Sequence, residues 1–221
     1  DEELLLFLDE VLNLGIIKKQ YQKNRIIGSS FEQIHIPKCS FFQRPVRNTV
    51  PFKSLDLLEI YSLIKENYAG ETEKLRKIAI PKDARIFKAN HFDYVTFSGV
   101  FTSRKDENLS THSGMLCIDF DHLEDLTSTK KLLLNDEYFP AEMLFSSPSG
   151  EGLKWIIKID LKQDSHINWF SAVKNYLKIQ YGLEADSAGK DVSRACFLPH
   201  DPEVFINAKY EQILKTRTNT F

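Results

Sequence analysis

Two aspartates end an apolar run in the middle of the chain, and their type and spacing could bind a metal ion. The run Ser113-Gly-Met-Leu-Cys-Ile-Asp-Phe-Asp121 is mostly apolar until it reaches Asp119 and Asp121. Its apolar part predicts a buried strand, and the alternation of side chains along a strand places both carboxylates on one face at its end. Neighbouring carboxylates repel each other unless a cation lies between them, and hard oxygen ligands suit a divalent metal. The alternative is a strand end capped by two solvated acids.

Two later segments carry groups that bind phosphate. The turn Ser147-Pro-Ser-Gly-Glu-Gly152 offers backbone N–H groups and the hydroxyls of Ser147 and Ser149, an arrangement that cradles anions. Lys154 follows this turn as a point charge, and Arg194 can grip a phosphate through two parallel hydrogen bonds. Asp186 and Asp191 precede Arg194, and either of them could add a third carboxylate to the pair.

The periodicity of apolar residues predicts the elements that position these groups. Helices are expected at 2–17, at 54–67 with Ser54 as N-cap, and in a short segment after Thr72. A strand is expected at 94–101 and a polar loop at 102–111. From residue 113 onward the order is strand 114–120, helix 125–135, strands 142–147 and 153–160, helix 165–181 and strand 194–199, with 204–207 as a further strand. That order, βαββαβ, predicts an α+β protein with a ferredoxin-like or RRM-like core.

The topology of such a unit brings the polar segments together. Its first two strands run parallel because a right-handed crossover helix joins them, and the last two run against them. The end of the first strand, the turn at 147–152 and the segment before residue 194 then meet at one edge of the sheet. We expect Asp119, Asp121 and one of Asp186 or Asp191 to hold one or two Mg²⁺ or Mn²⁺ ions there. A nucleoside triphosphate would bind through Ser147, Ser149, Gly150, Gly152, Lys154 and Arg194, which predicts phosphoryl or nucleotidyl transfer.

Composition and charge restrict the class of protein. With 221 residues and 42% hydrophobic residues the chain can bury a sizeable core. Three widely spaced Cys indicate neither a disulfide framework nor a structural zinc site. No apolar run is long enough to cross a membrane and no signal peptide is visible, so we expect a cytoplasmic protein without a membrane partner. The chain does not start with Met, so we expect it to be a piece of a longer protein.

The charges are distributed unevenly, which is relevant to a polyanionic partner. Residues 38–105 contain 13 Lys and Arg against 7 Asp and Glu, whereas residues 106–221 contain 12 against 18. A basic section beside an acidic, metal-binding one suits a polyanion that must reach the metal site. Arg44, Arg47, Arg76 and Lys77 are therefore candidates for phosphate contacts with single-stranded or primed DNA. Ordinary surface charge is the alternative reading.

From Cys39 to Asn207 the chain resembles the N-terminal domain of virulence-associated protein E-like proteins and, through it, the archaeo-eukaryotic primase (primase-polymerase) superfamily. The segments that carry the resemblance are 40–51, 72–76, 97–101, 113–123, 146–154 and 186–202. The first superfamily motif is a hydrophobic strand ending in Asp-x-Asp, which is similar to Asp119 and Asp121. The third motif is similar to Ala185-Asp186, so the resemblance makes Asp186, rather than Asp191, the third metal ligand.

The resemblance implies a nucleotidyltransferase that adds nucleotides to a 3′-hydroxyl on a template during replication of bacterial or mobile-element DNA. It also implies a bacterial cytoplasmic location and a helicase-type domain or protein as partner. The second superfamily motif is usually Ser-x-His, whereas this chain has Ser147-Pro-Ser149 followed by Lys154. His122 and His200 do not obviously replace that histidine, because each fits a loop or turn.

The predicted organisation has four parts. Residues 1–38 would form a helical extension, 39–112 a basic module with helices and strands, 113–210 the βαββαβ metal-binding core, and 211–221 a tail. A binding module that kept the fold and lost the chemistry is the main alternative function, since ferredoxin-like sheets bind single strands through exposed aromatic residues. A replication-initiator nuclease would need a His-x-His pair and a nucleotide cyclase a Gly-Gly-Asp/Glu signature, and the chain contains neither.

Overall fold

The computed structural model describes residues 35–218. The predicted helix at 2–17 and nearly all of the predicted extension at 1–38 lie outside these residues, as does the end of the predicted tail. Within residues 35–218 no helix is both long enough and apolar enough to cross a bilayer.

Ten strands and six α-helices make up the described part of the chain. The strands are β1 (Lys38–Phe42), β2 (Lys53–Asp56), β3 (Tyr94–Thr96), β4 (Gly99–Phe101), β5 (Leu109–His112), β6 (Met115–Phe120), β7 (Ala141–Ser146), β8 (Leu153–Lys158), β9 (Cys196–Phe197) and β10 (Phe205–Ile206). The helices are α1 (Leu57–Glu66), α2 (Ala69–Arg76), α3 (Pro81–His91), α4 (Leu126–Leu134), α5 (His166–Tyr181) and α6 (Glu211–Thr218).

Two four-stranded sheets and one hairpin organise these elements. The first sheet has the order β2-β1-β3-β9, the second has the order β10-β7-β8-β6, and β4 pairs with β5. Every paired neighbour is antiparallel. The expectation of a mixed α+β protein is confirmed.

The second sheet is buried on both faces, which explains its apolar strands. Leu116, Ile118 and Phe120 of β6 belong to a cluster with Trp155 of β8 and with α5. The alternate residues Met115 and Cys117 pack with a second cluster that contains residues of the first sheet. The side chains of Asp119 and Lys154 lie on this second face, so the candidate site is on the side of the second sheet that is turned toward the first.

The predicted βαββαβ core is present only in part. Strands β6 and β7 are both antiparallel to β8, which lies between them, so they are parallel to each other and joined through α4. The expected closing strand at 194–199 is wrong: only Cys196–Phe197 forms a strand, and it pairs with β3 of the first sheet. The edge strand β10 pairs with β7 instead. Phe197 packs edge-on against Tyr94 with a 6.0 Å centroid separation, a long-range contact that favours the first sheet.

Several local predictions also need correction. The predicted strand 94–101 is two strands, because a turn at Phe97 and Ser98 separates β3 from β4 and the Thr96 hydroxyl donates to the carbonyl of Gly99. The predicted loop 102–111 contains most of β5. Helix α1 begins after Asp56 rather than Ser54, because the Asp56 carboxylate accepts from the N–H groups of Leu58 and Glu59 and the Glu59 side chain accepts from the N–H of Asp56.

Helix α5 covers the second sheet and follows its predicted bounds closely. Its start is capped by Ser165, whose hydroxyl accepts from the N–H of Asn168. Phe170, Val173, Tyr176 and Leu177 are buried at helical spacing, but Ile167, which the same spacing of apolar residues would place inward, is 52% exposed. The chain after this helix returns to the edge of β6, and Asp186 lies there.

Two histidines join the β4–β5 hairpin to the start of α5. The Nδ1 atom of His112 accepts from the N–H of Gly114, which assigns its proton to Nε2, 3.0 Å from Nδ1 of His166. Burial and the neighbouring His166 lower the pKa of His112 to about 4. Burial also lowers the pKa of His166. Both rings are therefore neutral in the folded protein at pH 7.

We expect acid to destabilise the fold through this histidine pair. The folded-state pKa lies below the unfolded value, so the unfolded chain binds more protons between pH 6.5 and about 4. The contribution of this pair to the free energy of unfolding is then fully present above pH 6.5. It falls as the pH falls toward 4, by less than about 1.4 kcal/mol per pH unit for a half-buried ring. Urea unfolding at pH 7, 6 and 5 measures the slope of the free energy of unfolding against pH. His112→Asn, which retains an acceptor for Gly114, should reduce it, and an unchanged slope would contradict the assignment.

Candidate active site

The centre of the candidate site is an ion pair between neighbouring strands. In the register of β6 and β8, Asp119 lies directly opposite Lys154 and Phe120 opposite Leu153. Opposite residues in an antiparallel pair project to the same face, so the Lys154 ammonium contacts the Asp119 carboxylate. The side chains of Asp119 and Lys154 are only 13% and 10% exposed. The sequence predicted Lys154 as a phosphate contact, whereas the structure also makes it the partner of a predicted metal ligand.

The third carboxylate is Asp186, which a short 3₁₀ turn at Ser187–Lys190 places beside β6. The N–H of Asp186 donates to the carbonyl of Asp119 at 2.8 Å. Its carboxylate accepts from the N–H of Ala188 and from the guanidinium of Arg194, each at 3.0 Å. Asp119, Asp121 and Asp186 each offer a carboxylate oxygen, and these oxygens lie within 4.8 Å of one another. Asp191, the alternative third ligand, is outside this group.

The protonation of the central pair reflects burial and mutual attraction. Burial raises the pKa of Asp119, and the Lys154 ammonium opposes that rise. Burial is the largest single effect on Lys154 and lowers its pKa, but the neighbouring groups, Asp119 foremost, together hold the lysine pKa above its ordinary value. The same attraction between the two charges favours the charged form of each group. At pH 7 we therefore assign Asp119 as a carboxylate and Lys154 as an ammonium ion.

The serine-rich turn after β7 lies next to this pair. The N–H of Ser147 donates to the carbonyl of Gly152, and the hydroxyls of Ser147 and Ser149 are 3.1 Å apart. A Cβ atom at Gly152 would lie 2.0 Å from the carbonyl oxygen of Phe120, so only glycine permits this approach to β6. Gly150 has φ +81°, a conformation that glycine adopts without strain. Both glycines shape the turn, and neither lines the grooves described next.

Two grooves meet at Asp121. The central groove is a cavity of about 410 Å³ lined by Asp119, Asp121, Ser147, Ser149, Lys154 and Arg194, together with Val46, Lys88, Arg104, Pro148, Asp191, Ser193, Ala195, Cys196 and Phe197. The side groove is a cavity of about 390 Å³ lined by residues of α2 and α3 and by the loop after β6. Lys88, Asp121 and Ser149 line both grooves. The predicted phosphate contacts Ser147, Ser149, Lys154 and Arg194 are thus brought together with the carboxylates.

The four basic residues predicted to contact DNA are dispersed. Arg76 lines the side groove, and its Nε donates to the carbonyl of Pro148 at 3.3 Å. Arg44 donates to the carbonyl of His91 and lies 3.6 Å from Glu71, and it lines neither groove. Lys77 pairs with Glu73 one helical turn away, and Arg47 is exposed in the loop after β1. Only Arg76 therefore lies beside the carboxylates.

Lys88 and Arg104 are central-groove cations that the sequence reasoning missed. Lys88 lies on α3, and its ammonium is 5.8 Å from the ring centre of Phe197. Burial and the nearby Lys154 lower the pKa of Lys88, although Asp121 and Asp119 oppose that effect. The Arg104 guanidinium donates to the carbonyl of Val46 at 3.0 Å. A helix at 81–91 could have been found from Pro81, because proline is favoured in the first turn of a helix.

One protein family matches the chain. The profile of the BT4734-like, N-terminal domain family covers residues 87–205, more than half of the chain and all three clustered carboxylates. The chain belongs to the BT4734-like N-terminal domain family. No curated protein and no solved structure matches it.

This match corrects the family assignment made from the motifs. The resemblance to virulence-associated protein E-like proteins and the primase-polymerase superfamily was wrong, because the family that matches is a different one. The Asp-x-Asp strand end and the Ala-Asp dipeptide are short patterns, and they did not identify the family. The expected helicase-type partner and replication role depended on that resemblance.

The ion pair predicts how site variants affect stability. We expect Asp119→Asn to lower the free energy of unfolding by about 3 kcal/mol, because it leaves the buried Lys154 ammonium without its carboxylate. The double variant Asp119→Asn/Lys154→Met should recover much of that loss, since it removes both charges. Urea unfolding of the two single variants and the double variant measures the coupling. Strictly additive effects would show that the pair is not coupled.

Proposed function

We propose that this domain is a metal-dependent nucleotidyltransferase that transfers a nucleotide from a nucleoside triphosphate to the 3′-hydroxyl of a nucleic-acid strand. The observation that carries the proposal is the grouping of three carboxylates, from two distant segments of the chain, within 4.8 Å of one another, two of which (Asp119 and Asp121) line the central groove together with four cations. The β6-α4-β7-β8-α5 arrangement, with β6 and β7 parallel around β8, further supports a ferredoxin-like core as the frame of this site.

The donor set fits a hard divalent cation. Asp119, Asp121 and Asp186 supply three carboxylates, the ligand type that Mg²⁺ and Mn²⁺ prefer. Ions bound there would stabilise negative charge on phosphoryl oxygens and favour ionisation of an attacking hydroxyl. The exposed Asp121 and the half-buried Asp186 leave the group accessible from the groove.

The cations of the central groove suit the phosphates of the nucleotide. Lys154 and Arg194 neutralise Asp119 and Asp186, and both also line the groove. A bound triphosphate would give them phosphate oxygens as further partners, with Lys88 and the hydroxyls of Ser147 and Ser149 completing the polar wall. In the reaction the 3′-oxygen would bond to the α-phosphorus, the bond from that phosphorus to the pyrophosphate oxygen would break with release of pyrophosphate, and the hydroxyl proton would pass to water.

One observation favours a second function, strand binding without chemistry. The Lys154 ammonium already compensates the charge of Asp119, and Arg194 lies 3.0 Å from Asp186. Two of the three carboxylates therefore have cationic partners within the chain, as expected of a site that kept its fold and no longer needs a metal. A direct test of metal-dependent incorporation separates the two functions.

We expect Asp121→Asn to abolish Mn²⁺-dependent incorporation of nucleotides into a primed single-stranded template without a change in melting temperature. Asp121 is exposed, so the neutral amide removes a ligand charge without burying an unpaired group. The assay follows primer extension with nucleoside triphosphates and Mn²⁺ or Mg²⁺, and unfolding is followed by circular dichroism. Glu124→Gln is the matched control, because Glu124 is exposed on the same loop and lies outside the carboxylate group.

The same variants distinguish the two functions. Incorporation by the parent chain and Glu124→Gln, but not by Asp121→Asn, supports the transferase. Strand binding without incorporation by any of them supports the second function. Incorporation by Asp121→Asn at the parental rate would contradict a role for this carboxylate in the chemistry.

A further inference from the structure

The side groove has a composition that the nucleotide site does not explain. Its cations are Arg76 on α2 and Arg85 on α3, with Lys88 at the junction with the central groove. The apolar lining of the groove consists of Leu75, Ile78, Ala79, Pro81 and Ala84. Cations around an apolar wall suit a ligand that carries both phosphates and flat, weakly polar groups.

Acidic groups also line the side groove, where it joins the central groove at Asp121. Asp121 belongs to both grooves, and Glu151 lies 3.3 Å from the ring of His122. A polyanion in the side groove would therefore have its phosphates on the α2–α3 side. Its end would lie at Asp121, next to the groove proposed for the nucleotide.

Helix α3 has no fully buried residue, although it lines the side groove and Lys88 is partly buried. Arg76 is held in place by its hydrogen bond to the Pro148 carbonyl, and its guanidinium lies 3.0 Å from where a Cβ of Gly150 would be. Two neighbouring lysines provide a contrast, since Lys77 pairs with Glu73 and Lys82 lines neither groove. The cations in the groove are thus a specific subset of the basic residues on these two helices.

We propose that the side groove holds the 3′-terminal nucleotides of a single-stranded nucleic acid, with backbone phosphates on Arg76 and Arg85 and the terminal hydroxyl toward Asp121. The assignment of that strand as the acceptor rests on the proposed nucleotidyl transfer. Strand binding itself follows from the charge and shape of the groove. A cavity of about 390 Å³ has the volume of a small-ligand site, which fits one or two nucleotides rather than a duplex.

Binding is tested with the full 221-residue chain and a fluorescein-labelled oligothymidine of about 12 nucleotides, without metal or nucleotide. We expect Arg85→Ala to weaken binding about tenfold at low salt, because it removes a charged hydrogen-bond donor to a phosphate. The slope of log K against log salt should become less negative by about 0.7, the value for one phosphate contact on a single strand. Lys82→Ala is the matched control on the same helix and should change neither quantity. Circular dichroism melting confirms that both exposed-site variants are folded.

The outcomes separate this inference from the proposed transferase. Equal weakening by Arg85→Ala and Lys82→Ala, or no weakening by either, overturns the groove assignment even if the chain incorporates nucleotides. A selective effect of Arg85→Ala on binding supports the groove even if no incorporation occurs with any variant. If incorporation does occur, Arg85→Ala should raise KM for the primer and leave KM for the nucleotide unchanged, and the reverse pattern overturns the acceptor role.

Discussion

The ion pair between Asp119 and Lys154 is the interaction on which the candidate site depends. Both charges are nearly buried, and an unpaired charge at such a position costs several kcal/mol, so each residue requires the other. The pair exists only because β6 and β8 are in one particular register, with Phe120 opposite Leu153. A shift of β8 by one residue would turn Lys154 into the apolar cluster beneath α5 and leave Asp119 without its partner, so packing and electrostatics select the same register.

The balance of charge around that pair explains how three carboxylates can lie so close together. Arg194 partners Asp186, Lys154 partners Asp119, and Lys88 lines the central groove with its charge disfavoured by burial. A ligand that brings both phosphates and a divalent cation would preserve this balance, because it adds a partner for each sign of charge. The same balance also keeps the site stable if the protein binds a strand and catalyses no reaction. A measurement of nucleotide incorporation therefore decides between the two functions.

The elements predicted well from the sequence are those with strong local signals. The apolar run before Asp119 is β6, and the spacing of Phe170, Val173 and Leu177 predicted α5 almost to its ends. The elements predicted poorly depend on distant partners. Helix α3 has no fully buried residue, and residues 194–199 were assigned to the second sheet although Cys196 and Phe197 pair with β3. Short sequence motifs also led to the wrong family.

The sequence by itself determined the local geometry of the site: two aspartates on one face at a strand end, followed by a tight glycine turn and a lysine. These properties follow from the alternation of side chains along a strand and from the backbone conformations that glycine can adopt. Both depend only on neighbouring residues. Only the tertiary structure decided that Lys154 faces Asp119, that the carboxylate oxygens of Asp119, Asp121 and Asp186 lie within 4.8 Å of one another, and that Arg85 and Lys88 line the grooves. Those choices depend on strand register and on packing between segments far apart in the chain, because a contact across a sheet is fixed by the whole core and not by the residues that make it.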